Sequence, residues 1–579
     1  RIVYELNGEI NVLDVKTGKS AAIRIDVPDD GLWKRPSRVS AVGQIEDAGL
    51  SPKGERVLFS ARGDVFSAPV EKGFTRNLTA TSGAHDKWAR WSPDGSKIAF
   101  ISDLSGEEEL YVVAQDGSSK PERLTNGGKA MRYTPEWSAD GKRIAFSDKD
   151  GGIWVYSFDD RTLKQIYDAE RDQVRDYNWS PKGHYLTFSA AHGNNFRSIY
   201  IWSEAGGPNG TIHEVTDEMW NAQEPVWDAE GNFLYFLSDR EFAPQISGVE
   251  FNFASNRTTG IFAMSLRKDV KHPFPAESDE VTVAKEDPAP TPTPTGPTGA
   301  SVKGSAPVAA SPTTKTAGEA VSATKNPTSV TASSPSKTSS EAVSMTIDFD
   351  GISKRVARVP IDADNYSGLT AKKGHLLYTA GSAFFYGRDG DRKTSLRIYS
   401  LKDRKETMLV DDIRGYSLSA DGSKVLVRAG AGWNVYDATP SGASSKKTVA
   451  TTGLMVDRVP EQEWNQIFNE VWRRYRDWFY VDNMHGFDWE ALRKQYAAWL
   501  PFVAHRSDLN YVISEMISEL TVQHAYVEGG DFQIPPRPRV ALPGALFSLD
   551  KTAGKFRLGK IFEGQNEEDI YRSPLTEIG

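Results

Sequence analysis

The stretch WSPDGSKIAFIS, residues 91–102, consists of an apolar residue, a polar S-P-D-G turn and an apolar run rich in β-favouring residues. This order predicts a strand, a tight turn in which glycine takes a positive φ angle, and a second strand. Six further copies follow the same order, and AKKGHLLYTA is the weakest of them. They are LSPKGERVLFS (50–60), WSADGKRIAFSD (137–148), WSPKGHYLTFSA (179–190), WDAEGNFLYFLS (227–238), AKKGHLLYTA (371–380) and LSADGSKVLVRA (418–429). Seven strand-turn-strand units therefore span most of the chain.

The spacing of the turn glycines defines the length of this repeat. Gly54, Gly95, Gly141, Gly183 and Gly231 are 41, 46, 42 and 48 residues apart, and Gly374 and Gly422 are again 48 apart. A period in the forties has the length of a propeller blade. A third β-rich run usually follows each copy, as in GIWVYSF (152–158). We therefore predict a mainly β chain with a seven-bladed β-propeller, and the repeat resembles that of Tol-type propellers.

Aromatic and acidic residues recur in register within these copies. The tryptophans are Trp91, Trp137, Trp179 and Trp227, and the turn aspartates are Asp94, Asp140 and Asp421. Radial stacking of sheets buries both faces of each blade, so we interpret the tryptophans as packing between blades and not as ligand contacts. The aspartates are interpreted as polar caps of the turns and not as a paired catalytic acid and base.

The composition argues against several functional classes. The 579 residues carry a formal net charge of −9 with a pI of about 5.7, so no basic excess indicates nucleic-acid binding. No apolar run approaches the roughly 18 residues that would span a bilayer, so we expect no membrane partner. The absence of cysteine excludes disulfides, thiolate metal sites and a cysteine nucleophile.

Two features of the sequence bear on the compartment. The first residues, RIVYELNGEI, are strand-like and lack both an initiator Met and the features of a signal peptide. We interpret the chain as a processed or trimmed product. A protein without cysteine is compatible with reducing and oxidising compartments. We expect a cytoplasmic protein, with a periplasmic or secreted one as the alternative.

A change of composition interrupts the propeller. Residues 276–344 consist mainly of Pro, Thr, Ser, Ala and Gly, so they cannot repay the entropy of ordering. We predict a disordered insertion between two blades of one ring, because strand-like sequence resumes at MTIDFDG (345–351). The predicted layout therefore places propeller blades at residues 1–275 and 345–455 and a helical domain at residues 460–531.

From about residue 460 the apolar period becomes helical. In PEQEWNQIFNEVWRRYRDWFY (460–480), apolar residues fall at positions i, i+3, i+4, i+7 and i+8. A second helix is predicted to begin after Asp488 as its N-cap and to end before Pro501. A third is predicted from Ser507 or Asp508 through Leu520. His524 follows this third helix directly.

Spacing alone leaves the role of His524 open. A lone histidine just past a helix C-terminus can interact with the negative end of the helix dipole, or it can act as a base. His485 and His505 have polar neighbours and no metal-ligand spacing. The sequence contains neither H-E-x-x-H, which binds zinc, nor G-x-S-x-G, which forms a hydrolase nucleophile elbow. We therefore predict no metal site and no cofactor.

Residues 463–531, from EWNQIFNEVW to SELTVQHAYVEGGD, closely resemble the first core domain of the tricorn protease family. The propeller with its late insertion is similar to the second, seven-bladed propeller of that family. The stretch LPGALFSLDKTAGKFRLGKIFEGQ (542–565) is similar to the opening of its PDZ-like domain, which we place at residues 540–579. The resemblance covers nearly the whole chain but only the middle of a tricorn polypeptide.

This resemblance implies a serine peptidase that cleaves peptides into smaller peptides, with His524 as the general base. Family members carry the nucleophilic serine, the oxyanion-hole amides and an orienting glutamate in a second core domain. We expect these groups outside the present sequence, and hence no hydrolysis by this chain alone. The residue before the histidine can be a serine of the catalytic network in the family, so Gln523 is a candidate for that place. The family also implies a propeller that filters peptide substrates and a homo-oligomer, usually a hexamer.

Two other functions remain open. The chain could belong to a non-enzymatic propeller and PDZ-like module, or a pseudoenzyme, that binds peptides or proteins by strand addition. In that case His524 would only cap the helix dipole. A prolyl-oligopeptidase-like enzyme also joins a propeller to a hydrolase, but it requires G-x-S-x-G and a following α/β domain. The helical stretch after residue 460 argues against that enzyme.

Overall fold

The computed structural model describes most of the chain. The residues that it leaves undescribed are 7, 29, 208, 242–243, 247–252, 276–344, 384–389, 391, 533–542, 566, 573 and 576–579, and only the backbone is described at 244–246, 253–255 and 569. The predicted insertion at 276–344 thus lies outside the described residues. Two compact units are present, one formed by Val39–Val456 and the other by Arg1–Arg38 together with Asp457–Gly579.

A three-stranded antiparallel sheet opens the chain. Its strands are β1 (Ile2–Leu6), β2 (Glu9–Asp14) and β3 (Lys19–Ala22), in the spatial order β1-β2-β3. This sheet belongs to the same compact unit as the C-terminal part of the chain. The structure therefore corrects the predicted propeller start at residue 1, because the compact propeller unit begins at Val39.

The described residues of the propeller unit form seven four-stranded antiparallel sheets, which we number as blades one to seven. A short strand, β4 (Ser37–Ser40), precedes them. Blade one comprises β5 (Ile45–Leu50), β6 (Arg56–Ala61), β7 (Asp64–Pro69) and β8 (Arg76–Asn77), and blade two comprises β9 (Lys87–Trp91), β10 (Lys97–Ser102), β11 (Glu109–Ala114) and β12 (Glu122–Arg123). Blade three comprises β13 (Glu136–Trp137), β14 (Arg143–Ser147), β15 (Gly152–Ser157) and β16 (Leu163–Asp168). Blade four comprises β17 (Asn178–Trp179), β18 (Tyr185–Ala191), β19 (Arg197–Ser203) and β20 (Thr211–Glu214).

The remaining three blades follow the same antiparallel order, with one additional hairpin in blade five. Blade five comprises β21 (Asn221–Trp227), β22 (Phe233–Asp239), β25 (Thr259–Ser265) and β26 (Val356–Arg358), and its additional hairpin is formed by β23 (Pro244–Ile246) and β24 (Phe253–Ser255). Blade six comprises β27 (Tyr366–Lys372), β28 (His375–Ala380), β29 (Ser395–Ser400) and β30 (Lys405–Val410). Blade seven comprises β31 (Ile413–Leu418), β32 (Lys424–Ala429), β33 (Gly432–Asp437) and β34 (Lys447–Thr448). The predicted seven-bladed, mainly β architecture is confirmed.

Each repeated S-P-D-G-type turn joins the first and second strands of a blade. The seven turn glycines have φ angles between 68° and 75°, a region that side chains with a Cβ rarely adopt. In blade two, the Asp94 carboxylate accepts hydrogen bonds from the Ser92 hydroxyl and the Ser96 amide, and these bonds lower its pKa. The prediction that the turn aspartates are polar caps is confirmed.

Tryptophans at the ends of first strands connect neighbouring blades. Their indole nitrogens donate to backbone carbonyls of the preceding blade: Trp137 to Arg90 at 3.2 Å, Trp179 to Glu136 at 3.0 Å and Trp227 to Asn178 at 3.0 Å. The predicted packing role is confirmed, and a hydrogen bond accompanies it. Trp91 differs from these three, because its buried indole nitrogen finds no acceptor among the described residues.

Contacts between the first and last blades close the ring. Phe59 of blade one and Trp433 of blade seven lie in one buried cluster, with ring centroids 5.4 Å apart. Residues 276–344 fall between β25 and β26, the third and fourth strands of blade five, where Phe262 pairs with Arg358. The predicted position between two blades is therefore wrong, since the fourth strand of blade five is formed after the insertion.

Three helices form the core of the second unit. After β35 (Met455–Arg458) come α1 (Pro460–Trp478), α2 (Trp489–Ala497) and α3 (Arg506–Ser518). Asp488 caps α2 as predicted, by accepting a hydrogen bond from the Ala491 amide at 2.9 Å. Helix α3 begins one residue earlier than predicted because the ring nitrogen of His505 acts as the capping acceptor. No described helix is both long and apolar enough to cross a bilayer.

Apolar packing and one reciprocal polar contact join α1 to α2. The indole nitrogen of Trp472 donates to the Trp489 carbonyl at 2.9 Å, and that of Trp489 donates to the Trp472 carbonyl at 3.0 Å. Buried residues from all three helices, among them Trp464, Phe468 and Ile513, form one cluster around this pair. Further along the chain, β36 (Ala545–Asp550) and β37 (Lys555–Ile561) form an antiparallel hairpin.

Candidate active site

His524 lies on the segment that follows α3, where the backbone leaves the helix. Leu520 and Thr521 still donate hydrogen bonds to the carbonyls of Ile517 and Ser518, which extends the helical path by one turn. Thr521 and His524 then take φ angles of 53° and 64°. Left-handed backbone costs a residue with a side chain roughly 1–2 kcal/mol, so packing on either side must hold this conformation.

Alternating contacts hold this segment against the helices. Val522, Ala525 and Val527 pack on the helical core cluster. Gln523 and His524 are exposed, and Tyr526 is 73% exposed. The apolar side chains thus anchor the segment, while the histidine and tyrosine face solvent, where a substrate could reach them.

Among the described residues, the His524 ring has one hydrogen-bond partner. Its Nδ1 atom lies 3.1 Å from the Tyr526 hydroxyl, and Nε2 makes no hydrogen bond to any described residue. If Nδ1 carries the proton and the tyrosine oxygen accepts it, the lone pair of Nε2 is free. A neutral imidazole in that tautomer can remove a proton from a hydroxyl brought to Nε2.

Gln523 precedes this histidine, and its side-chain amide makes no hydrogen bond to the described histidine ring. The exposed side chain makes no hydrogen bond within the described part of the chain. Its place in a catalytic network therefore stays a prediction. The structure brings together His524 and Tyr526, and the sequence reasoning had not singled out the tyrosine.

Side chains from the helical unit fix both ends of the segment. At its start, the Nδ1 atom of His485 lies 2.9 Å from the Leu520 carbonyl oxygen. At its end, the side-chain amide of Asn510 donates to the Gly529 carbonyl at 2.8 Å. His485 had been interpreted as a histidine with polar neighbours, and neither contact could be read from sequence spacing.

His485 itself occupies an unusual turn between α1 and α2. Met484 and His485 have φ angles of 49° and 59°, and Gly486 follows at 86°. The Asn483 side chain caps this turn by accepting from the His485 amide at 3.2 Å. Two successive left-handed residues with side chains point to a conformation that tertiary contacts maintain.

One group of side chains could hold a metal ion, in the described part of blade four. Ligand atoms of His192, Glu214 and Glu218 lie within 4.8 Å of one another. Both glutamates are exposed, and exposed acidic groups often lie this close without an ion. The sequence predicts no metal site, and this cluster has none of the spacing motifs typical of one.

The chain combines a closed seven-bladed propeller with a helical unit that carries an exposed and anchored histidine. These features place it in the class of propeller proteins with an appended helical core. The family model of the tricorn protease second β-propeller domain matches residues 45–439, and that of the tricorn protease C1 domain matches residues 460–518. The chain therefore belongs to the tricorn protease family.

Individual relatives extend this similarity over the whole chain. A tricorn protease homolog of Saccharolobus solfataricus is 23% identical over 586 residues, covering 100% of this chain and 48% of that protein. Tricorn protease homolog 1 of Streptomyces coelicolor is 25% identical over 602 residues, covering 100% of this chain and 51% of that protein. The chain thus spans about half the length of the curated relatives that it matches.

A solved structure supports the fold. The crystal structure of the tricorn protease aligns with a TM-score of 0.69 at 19% identity, covering 100% of this chain and 50% of that chain. At this identity the likeness concerns the fold alone. The propeller and the helical core thus follow the architecture of the tricorn protease.

Proposed function

We propose that this chain is the propeller and first core region of a tricorn-type serine peptidase that cleaves peptides into smaller peptides. His524 is its general base, and the nucleophilic serine, the oxyanion-hole amides and the orienting glutamate lie outside these 579 residues. The observation that carries the proposal is the exposed imidazole of His524, with Nδ1 engaged by Tyr526 and Nε2 without a hydrogen bond to any described residue.

The chemistry explains why such a histidine is needed. A serine hydroxyl is a weak nucleophile until a neighbouring imidazole removes its proton. The imidazole must hold its other ring nitrogen in a fixed hydrogen bond, so that the correct tautomer and orientation persist through the reaction. Tyr526 supplies a partner of this kind from two residues away, and an acidic group from the rest of the protein would complete the arrangement.

The proposal extends to the propeller and to the assembly. The propeller axis is a pore of limited width, so it would admit extended peptides and exclude folded domains. We further propose a homo-oligomer, a hexamer by family resemblance, and a PDZ-like domain that begins within residues 540–579. We place the protein in the cytoplasm, with the periplasm or the exterior as the alternative.

A serine-directed probe tests the proposed reaction. The natural full-length protein is incubated with a fluorophosphonate, which forms a covalent bond to an activated serine, and the labelled peptide is identified by mass spectrometry. We expect one labelled serine outside residues 1–579 and loss of labelling in His524→Ala. Absence of labelling in the wild-type protein, or labelling that persists unchanged in the variant, contradicts the proposal.

A second candidate is peptide binding without catalysis. Strands β36 and β37 form a two-stranded hairpin with exposed apolar side chains, including Phe547 and Phe556, and a hairpin of this kind can accept an added strand. This function predicts that the full-length protein binds extended peptides, is not labelled by the probe and binds equally well after His524→Ala.

A further inference from the structure

The contact between His485 and Leu520 ties two distant parts of the helical unit together. A carbonyl oxygen can only accept a hydrogen bond, so Nδ1 of His485 carries the proton in this contact. Nε2 is then an acceptor, and the Tyr480 hydroxyl lies against it as the donor. The two hydrogen bonds, from Tyr480 to His485 and from His485 to Leu520, run in the same direction. This direction fixes the tautomer of His485.

The Leu520 carbonyl is where the helical path ends. Leu520 itself is fully buried, and left-handed Thr521 follows it. Carbonyls at a helix C-terminus lack partners within the helix, so a side-chain donor there determines where the chain turns away. His485 supplies that donor to the Leu520 carbonyl, and Leu520 lies four residues before His524.

Asn510 acts at the other end of the same segment. This residue lies on α3, and its amide nitrogen donates to the Gly529 carbonyl at 2.8 Å. Its amide oxygen contacts the Arg506 guanidinium, which fixes the orientation of the side chain. Gly530 has a φ angle of 121°, and a Cβ there would lie 3.0 Å from the Arg506 side chain, so the segment closes tightly on α3 at this point.

We propose that His485 and Asn510 are positioning residues that clamp residues 521–528 from both ends and so fix the backbone that carries His524. The proposal rests on the proposed function in that His524 is taken as the base. Between the clamps, Val522, Ala525 and Val527 pack on the helical core cluster, and the two hydrogen bonds set the path of the exposed residues.

Packing by the His485 ring is the alternative explanation. The ring contacts Phe479 and Tyr480 edge-on, with centroids 5.0 and 5.3 Å apart. A phenylalanine retains these ring contacts but cannot donate to Leu520. An asparagine loses the ring but places an N–H where Nδ1 lies, and it tolerates left-handed backbone. The pair His485→Phe and His485→Asn therefore separates the hydrogen bond from packing.

The test combines kinetics with hydrogen exchange on the natural full-length protein. The variants are His485→Phe, His485→Asn and Asn510→Asp, which keeps an acceptor for Arg506 but loses the donor to Gly529. His184→Phe, at an exposed propeller histidine, is the matched control. Peptide hydrolysis gives kcat and KM, amide exchange is followed in residues 521–528, and thermal melting verifies folding.

We expect His485→Phe and Asn510→Asp to lower kcat about 10- to 100-fold with KM nearly unchanged, because small misplacements of a catalytic group have effects of this size. Amides of residues 521–528 should exchange about tenfold faster in both variants. His485→Asn should recover most of the activity and protection. Unchanged exchange in this segment, or a loss of activity that His485→Asn fails to recover, overturns the proposal.

Failure of the clamp is distinguishable from failure of the proposed function. If His524→Ala leaves hydrolysis unchanged, the proposed base is wrong, and the exchange data alone then decide whether the two side chains hold the segment. If His524→Ala abolishes hydrolysis while His485→Phe and Asn510→Asp retain wild-type kcat, the base stands and the positioning role is overturned.

Discussion

The Tyr526 hydroxyl lies 3.1 Å from Nδ1 of His524, although both residues are on an exposed segment without regular secondary structure. The contact is possible because Ala525, between them, turns inward and packs on the helices. Two outward side chains separated by one inward residue project to the same side. The tyrosine therefore restrains the histidine ring through a contact within the segment itself.

Removal of this hydroxyl should weaken catalysis without affecting folding. In Tyr526→Phe, Nδ1 loses its partner and both neutral tautomers become accessible, so we expect kcat for peptide hydrolysis to fall about tenfold. Steady-state kinetics of the full-length protein measure the effect. Tyr511→Phe, at an exposed tyrosine of α3, is the control and should behave as wild type. Equal kcat values for the two variants would show that the hydroxyl does not orient His524.

The bonds between blades should contribute unequally to propeller stability. Trp179→Phe leaves the Glu136 carbonyl without its donor, so we expect a loss of about 1–2 kcal/mol in the free energy of unfolding beyond the loss of packing. Trp91 has a buried indole nitrogen without an acceptor among the described residues, so Trp91→Phe should cost less. Urea unfolding followed by circular dichroism compares the two. Equal losses would contradict a net contribution from the hydrogen bond.

Asp86 should make stability depend on pH in an unusual direction. Burial raises its pKa from 3.8 to about 6, although hydrogen bonds from Ser102 and Thr81 partly oppose this. Between about pH 4 and pH 6 the folded protein therefore holds more protons at this site than the unfolded chain does. The contribution of Asp86 to stability is greatest below its unfolded pKa, falls as pH rises through about 6, and changes little above that.

Comparison with Asp86→Asn isolates this contribution. From pH 4 to pH 7, the unfolding free energy of the wild type should fall by at most about 3 kcal/mol relative to that of Asp86→Asn. Asp94→Asn should show the opposite sign below about pH 4, because hydrogen bonds lower the pKa of Asp94 beneath its ordinary value of 3.8 and their stabilisation is lost as pH falls through that range. A pH-independent difference for Asp86→Asn would contradict the proposed burial of its charge.

The propeller was predictable because its signal is local and repeated. A turn glycine at φ near 70° and a following apolar strand occur within about ten residues, so each copy identifies one half of a blade. The insertion was misplaced because the fourth strand of blade five, Val356–Arg358, is only three residues long and follows the insertion. Such a short strand has no periodicity to reveal it.

The site was only partly predictable for a similar reason. His524 is proposed through family resemblance, and its place after α3 follows from the helical period. The clamp by His485 joins residues 35 positions apart and depends on left-handed backbone at a non-glycine residue. Similarly, His505 was not expected as an N-cap, since Ser, Thr, Asp and Asn are the usual capping residues.

His524 is proposed as the general base of a peptidase. The most direct measurement is kcat/KM for a fluorogenic peptide with the full-length protein and its His524→Ala variant, with His184→Ala as the matched control. We expect a fall of at least about 10³-fold for His524→Ala, since loss of a triad base has effects of this order, and no change for the control. Hydrolysis by His524→Ala at the wild-type rate would contradict it.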